Sequence, residues 1–157
     1  MELRDSVVLP CDRATAWAAL NDPDVLARCI PGCEALTMDA PDHMMATVAL
    51  KVGPVKARFE GAVQLSEIEP LEGYLLTGEG KGGVAGFAKG SARVRLEDGG
   101  EDGGENETLL HYEATADVGG KLAQLGSRLL DSTAKKLAKT FFDNIRLAVS
   151  APAEEDA

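Results

Sequence analysis

Residues 108–145 read TLLHYEATADVGGKLAQLGSRLLDSTAKKLAKTFFDNI, and the period of the apolar residues changes within them. Up to Val118 the period is two. Leu110, Tyr112, Ala114 and Ala116 share one side of an extended chain, with His111, Glu113, Thr115 and Asp117 on the other. Beyond Gly119-Gly120 the spacing becomes three or four residues, at Leu122, Leu125, Leu129, Thr133, Leu137, Phe141 and Ile145. The stretch therefore predicts a last strand followed by one amphipathic helix of about eight turns, roughly 45 Å long at 1.5 Å per residue. Pro152 and an acidic end close that helix near Ser150.

Upstream of the last strand, period two dominates. Residues 33–39 (CEALTMD) and 43–52 (HMMATVALKV) flank Ala40-Pro41-Asp42, a hairpin signal, and Gly53-Pro54 leads into 55–68 (VKARFEGAVQLSEI). Residues 73–81 (GYLLTGEGK) and 87–96 (FAKGSARVRL) follow, joined by a glycine-rich bend. Residues 2–9 predict a first strand. Residues 12–30 predict two short helices, with Asp12 and Asp22 as N-caps and Pro23 at a first helical position. Antiparallel strands, a short helix pair and a long final helix make an α+β domain in which a curved sheet grips the last helix. One domain is expected over 1–150, with 151–157 a short acidic tail.

The face of that sheet turned to the helix carries Gly61, Gly78, Gly80, Gly90, Ala92, Ala114 and Ala116 among larger Val48, Leu50, Phe59, Leu76 and Val94. Close-packed interiors do not tolerate so many small side chains without filling the volume. Two readings stand: the glycines let the sheet bend, or they leave an apolar cavity for a ligand. Charged residues of these strands (Lys51, Lys56, Arg58, Glu79, Lys89, Arg93) fall on the opposite parity, so the inner face suits binding rather than acid–base chemistry.

Composition sets further bounds. The chain has 157 residues, 45% of them hydrophobic, and a net charge of −10, which excludes the basic footprint of a nucleic-acid binder. The charge is uneven: 119–149 holds Lys121, Arg128, Lys135, Lys136, Lys139 and Arg146 against Asp131 and Asp143. That basic segment reads as a solvated helix face, or as a docking surface for an anionic membrane or an acidic partner. The first residues, MELRDSVVLP, do not form a signal peptide, so a cytoplasmic location is expected, with peripheral contact at the inner face of the membrane as a second possibility.

Candidate chemistry is sparse. His43 and His111 lack a nucleophile at motif spacing. Cys29 and Cys33, like Cys11, read as small buried thiols rather than zinc ligands, although pairing across Pro31-Gly32 stays open. Gly78, Gly80, Gly82 and Gly83 precede a strand, not the helix a phosphate loop requires. EDGGEDGGENE (97–107) reads as a solvated hairpin loop, without the ligand spacing of a calcium loop. No catalytic or metal residue is expected, and no cofactor beyond a bound apolar molecule.

The wording of ATAWAALNDPDVLARCIPGCE (14–34), VALKVGPVKARFEGAV (48–63), GEGKGG (78–83), AKGSARVRL (88–96) and VGGKLAQLGSRLL (118–130) resembles the carbon monoxide dehydrogenase CoxG family, of the START-like (SRPBCC) superfamily. The resemblance covers nearly all of 1–149. It implies a helix-grip fold and an accessory protein of molybdenum hydroxylases that matures them, recruits them to the membrane or carries the isoprenoid quinone they reduce. An assembly factor without ligand, and a cyclase- or hydrolase-like enzyme using Tyr112, are the other functions it leaves open. The family motif falls on Ile30, Pro31, Gly32, Val52, Gly53, Phe59, Gly61, Gly120 and Leu125. Together with the inner-face pattern it gives the expected ligand contacts: Ile30, Val48, Leu50, Phe59, Gly61, Val63, Leu76, Phe87, Gly90, Ala92, Val94, Tyr112, Leu125 and Leu129. Some family members end in a membrane-binding segment. Residues 150–157 (SAPAEEDA) hold no apolar run, so any membrane contact is expected to be transient or through a partner.

Overall fold

The computed structural model of the chain describes residues 1–99 and 104–150. Strand β1 (Glu2–Leu9) leads to helices α1 (Arg13–Leu20) and α2 (Pro23–Cys29). Strands β2 (Cys33–Ala40), β3 (His43–Val52), β4 (Val55–Glu69), β5 (Gly73–Lys81), β6 (Phe87–Gly99) and β7 (Gly104–Gly119) follow, then helix α3 (Ser127–Ser150). The strands form one curved antiparallel sheet in the order β1-β7-β6-β5-β4-β3-β2. Neighbours in sequence are neighbours in space except β1, which pairs with β7.

The local signals act as the sequence suggests. The Asp12 carboxylate accepts the Thr15 amide at 2.8 Å and Asp22 that of Asp24 at 2.9 Å, which satisfies orphan donors at both short helices. The last helix departs from the expected eight turns. Gly120–Leu125 forms a 3₁₀ segment, here called the strap, and Gly120 (φ 71°) and Gly126 (φ 90°) take left-handed conformations that β-carbons disfavour. The α-helix begins only at Ser127, and its 24 residues span roughly 36 Å. The insert 97–107 is largely strand. The remainder of that expected loop, 100–103, and the acidic tail 151–157 lie outside the described residues.

Register sorts the inner face by size. Large residues meet in cross-strand rows near one end: Tyr74, Val94 and Tyr112 in one, Leu96, Leu110 and Val7 in the next. Over these rows lies the C-terminal half of α3, whose Phe142, Ile145 and Val149 are buried with Leu9, Leu20 and Leu26. Tyr112 stacks on Phe142 with ring centroids 5.0 Å apart, and Trp17 meets Tyr74 edge-on at 5.5 Å. Polar contacts pin the same half: Asn144 donates to the Cys29 carbonyl at 3.0 Å and Arg146 to that of Val8 at 3.1 Å. The core is closed here.

Candidate ligand cavity

Toward the other end of the sheet the rows are small. Val63, Gly78, Gly90 and Ala116 stand side by side on β4 to β7, and next to them Gly61, Gly80, Ala88 and Val118. The N-terminal half of α3 passes over these rows without reaching them, and Leu130, Thr133, Ala134 and Leu137 stay half-buried. The gap is an open apolar cavity of about 540 Å³, within the range of small-molecule pockets. Val48, Leu50, Val52 and Phe59 wall one side, with Ile30 beside them. Leu122 of the strap, itself buried, closes an end.

The glycines decide between bending and space. A Cβ added at Gly80 would meet nothing closer than 3.9 Å, and at Gly61 or Gly78 nothing closer than 3.4 Å. None of the three has a positive φ. Their backbone would accept alanine, so glycine there is accounted for by the volume it leaves. Gly90 is different, because a Cβ there would overlap the Thr115 carbonyl oxygen. It serves close strand approach as well as the cavity.

Of the residues expected to contact a ligand, Ile30, Val48, Leu50, Phe59, Gly61, Val63, Leu76, Gly90 and Ala92 line this space. The other five do not. Phe87 lies on the outer face, opposite Gly119, with its ring laid against that glycine; alternation from Ala88, Gly90 and Ala92 sends it outward. Val94 and Tyr112 point inward but fill the closed core, one buried between two tyrosines and the other against Phe142. The break at Gly126 resets the helical phase, so Leu125 falls outside the lining and Leu129 packs against Gly53 in the β3–β4 turn. In their places stand Leu122, Leu130, Thr133, Ala134 and Leu137, with Ala46, Ala88, Ala116 and Val118 from the sheet. The i, i+3, i+4, i+7 spacing of 130–137 was present in the sequence. It is readable only once the helix is known to start at Ser127.

Polarity at the cavity is low. Glu79, Lys89, Ser91 and Thr115 border it, but register turns their side chains to the opposite face, leaving the Thr133 hydroxyl among the inward groups. Tyr112, the residue singled out for an enzymatic role, is not part of it; burial pushes its phenol above the usual range, with the Asp5 charge adding to this. The cysteines are free, and burial raises the Cys11 thiol to about 11, which keeps it protonated and unreactive.

One polar constellation escapes the sequence. On the outer face His111 Nδ1 lies 2.7 Å from Ser6 Oγ, and its Nε2 lies 2.6 Å from a Glu97 carboxylate oxygen. Ser6 and His111 are 105 residues apart and meet only because β1 pairs with β7. The chain of groups is exposed and stands away from the cavity. Among the described residues no three His, Cys, Asp or Glu side chains gather as a metal site, and no helix is long and apolar enough to cross a membrane.

Residues 6–150 match the family described as the CoxG subunit of carbon monoxide dehydrogenase. The chain belongs to the CoxG family. A conserved protein from Geobacillus kaustophilus is similar over 96% of this chain and 95% of its own, at 30% identity and a TM-score of 0.87. A START superfamily protein from Mycobacterium smegmatis is similar at 14% identity over 95% and 97% of the two chains, with a TM-score of 0.70. The Zhui aromatase/cyclase from Streptomyces sp. R1128 superposes with a TM-score of 0.63 at 10% identity, over 98% and 95%. The last two likenesses establish the START-like fold of this CoxG-family chain and nothing finer. No curated protein matches it in sequence.

Proposed function

We propose that this chain carries an apolar small molecule, an isoprenoid quinone, and serves a molybdenum hydroxylase of the carbon monoxide dehydrogenase type, by delivering the electron acceptor or by recruiting the enzyme to the membrane. The observation that carries the reading is the pair of small-residue rows at Gly61, Gly78 and Gly80, where the backbone does not require glycine and the helix leaves space. Membership of the CoxG family supports the partner. A cavity of this size holds a quinone ring and the first isoprenoid units, and its open side lets the rest of a tail leave. Carriage needs shape and apolar contact, so this reading assigns no residue a catalytic role.

The test is quinone titration by intrinsic fluorescence, using analogues of increasing side-chain length, with Ala92→Leu as the cavity-filled variant. Each CH₂ withdrawn from water contributes about 0.8 kcal/mol. Affinity should therefore rise roughly fourfold per added CH₂ until the cavity is full, and Ala92→Leu should weaken binding by at least about tenfold. Affinity independent of chain length, or unaffected by Ala92→Leu in a folded protein, would remove the cavity from the function. Gly90→Leu is unsuitable as a probe because it would distort β6 and β7.

A second reading, an assembly factor that acts without ligand, draws on the segregation of charge. Co-purification with a hydroxylase that withstands Ala92→Leu but is lost when Lys135, Lys136 and Lys139 are reversed would favour it.

A further inference from the structure

Both histidines sit beside a carboxylate, His43 with Asp39 at 2.6 Å and His111 with Glu97 at 2.6 Å. His111 differs in having a hydroxyl on its other ring nitrogen, Ser6 Oγ at 2.7 Å from Nδ1. Register brings the three groups together on the outer face. The Ser6 amide donates to Asp5 Oδ1 at 2.8 Å and the Val8 carbonyl accepts from Arg146 at 3.1 Å, so the backbone groups of both residues point away from β7. Ser6 and His111 are therefore a non-hydrogen-bonded pair, the kind whose side chains approach most closely. Glu97 stands diagonal to His111 on β6, opposite Leu109, within reach of a long side chain.

A carboxylate only accepts hydrogen bonds, so the contact with Glu97 puts the ring proton on Nε2. Nδ1 of the neutral imidazole is then an acceptor, and Ser6 Oγ–H donates to it. A hydroxyl held by a base, with the base held by a third group, is the arrangement that activates a serine as a nucleophile. The same outer-face row continues to Arg95, directly opposite His111 across β6 and β7. Arg95 is exposed and makes no ion pair among the described residues, which leaves its charge available to an oxyanion. Half-buried Val8 and Leu109 in the neighbouring row give an acyl group a small apolar footing. Because the row is exposed, it suits short esters with a good leaving group, whose hydrolysis asks for little binding energy.

We propose that Ser6, His111 and Glu97 form a second site, on the face of the sheet away from the cavity, that hydrolyses short activated esters through an acyl-Ser6 intermediate. Ser6 Oγ bonds to the ester carbonyl carbon while its proton passes to His111 Nδ1. The bond from that carbon to the leaving oxygen breaks, and the leaving group takes the proton from Nδ1. Water then attacks the acyl-serine, giving a proton to Nδ1, which returns it to Ser6 Oγ as the carboxylic acid departs. Ester and water become acid and alcohol, and nothing is oxidised or reduced. Glu97 holds the ring in the required tautomer throughout. The activity is independent of the carriage of an apolar ligand, since it uses none of the residues that line the cavity.

The experiment treats the full chain with p-nitrophenyl acetate, follows phenolate release, and maps the acetyl group by mass spectrometry of the acid-quenched, digested protein. The wild type is expected to carry acetyl on Ser6, in preference to the exposed serines Ser127 and Ser132, which have no histidine partner among the described residues. Ser6→Ala should abolish that adduct, and His111→Gln should slow its formation by about a hundredfold. Glu97→Gln should slow it by about tenfold or more through loss of the tautomer. His43→Gln, which removes the histidine without a hydroxyl partner, should leave it unchanged. The substituted side chains are exposed or half-buried on the outer face, and thermal melts check that each variant folds. No acetyl on Ser6, or acetyl shared equally with Ser127 and Ser132, overturns the proposal. Acetylation of Ser6 at an unchanged rate in His111→Gln also overturns it, since the hydroxyl would then react without its base.

Discussion

Gly80 and Gly90 lie on neighbouring strands in adjacent rows, both without side chains and both facing α3, yet their environments make opposite demands. Gly80 has open space where a Cβ would stand, whereas Gly90 has the Thr115 carbonyl. Alanine at Gly80 narrows the conformational freedom of the unfolded chain and adds a contact at no steric cost. Gly80→Ala should thus raise stability by about 0.5 kcal/mol in urea unfolding, while weakening ligand binding. Gly90→Ala must move backbone and should cost about 1–3 kcal/mol. Equal effects at the two positions would mean that the small rows are a requirement of the sheet and not of a ligand. The sequence displayed both glycines on the inner face through alternation alone. It could not separate them, because the difference lies in how closely β7 approaches β6, a property of pairing and not of spacing.

Helix α3 behaves as two elements. Its C-terminal half is a core element, with Phe142, Ile145 and Val149 buried, while its N-terminal half is a roof whose Leu130 and Leu137 face empty volume. Truncation should cost accordingly. Phe142→Ala loses ring contacts with Tyr112 and Phe141 and should destabilise by about 3–5 kcal/mol. Leu137→Ala enlarges a space already present and should cost less than about 2 kcal/mol, since few contacts are forfeited. Comparable losses from both, measured by chemical denaturation, would contradict the open roof. The amphipathic period made this helix legible from residue 127 onward. It also carried the expectation seven residues too far, because Leu122 and Leu125 keep the spacing while Gly120 and Gly126 interrupt the backbone. The contacts expected at Leu125 and Leu129 went astray for that reason, and Leu122 entered the cavity from a segment that is not α-helical.

For the whole molecule, a charge of −10 at pH 7 and a pI near 4.6 mean that self-repulsion eases as pH falls toward the pI. A second effect opposes this at lower pH. Asp12 is held below the usual carboxylate range by hydrogen bonds from Thr15, Glu34 by Arg58, Asp39 by His43 and Asp143 by Lys139. A carboxyl group whose folded-state pKa is depressed stabilises the fold above its ordinary pKa, and that contribution disappears as pH drops through the depressed value. Alkaline pH acts through Cys11, Tyr74 and Tyr112, whose raised pKa values mean that the unfolded chain ionises first. Their contribution is present below the ordinary thiol and phenol range and is lost above it. The expected Tm profile by calorimetry therefore rises modestly from pH 8 to about 5, then falls below about pH 4, where the paired carboxylates protonate. It should also fall above about pH 9. A Tm that kept rising to pH 3 would show self-repulsion to outweigh the capping and bridging carboxylates. A profile flat from pH 8 to 5 would show that self-repulsion contributes little to stability over that range.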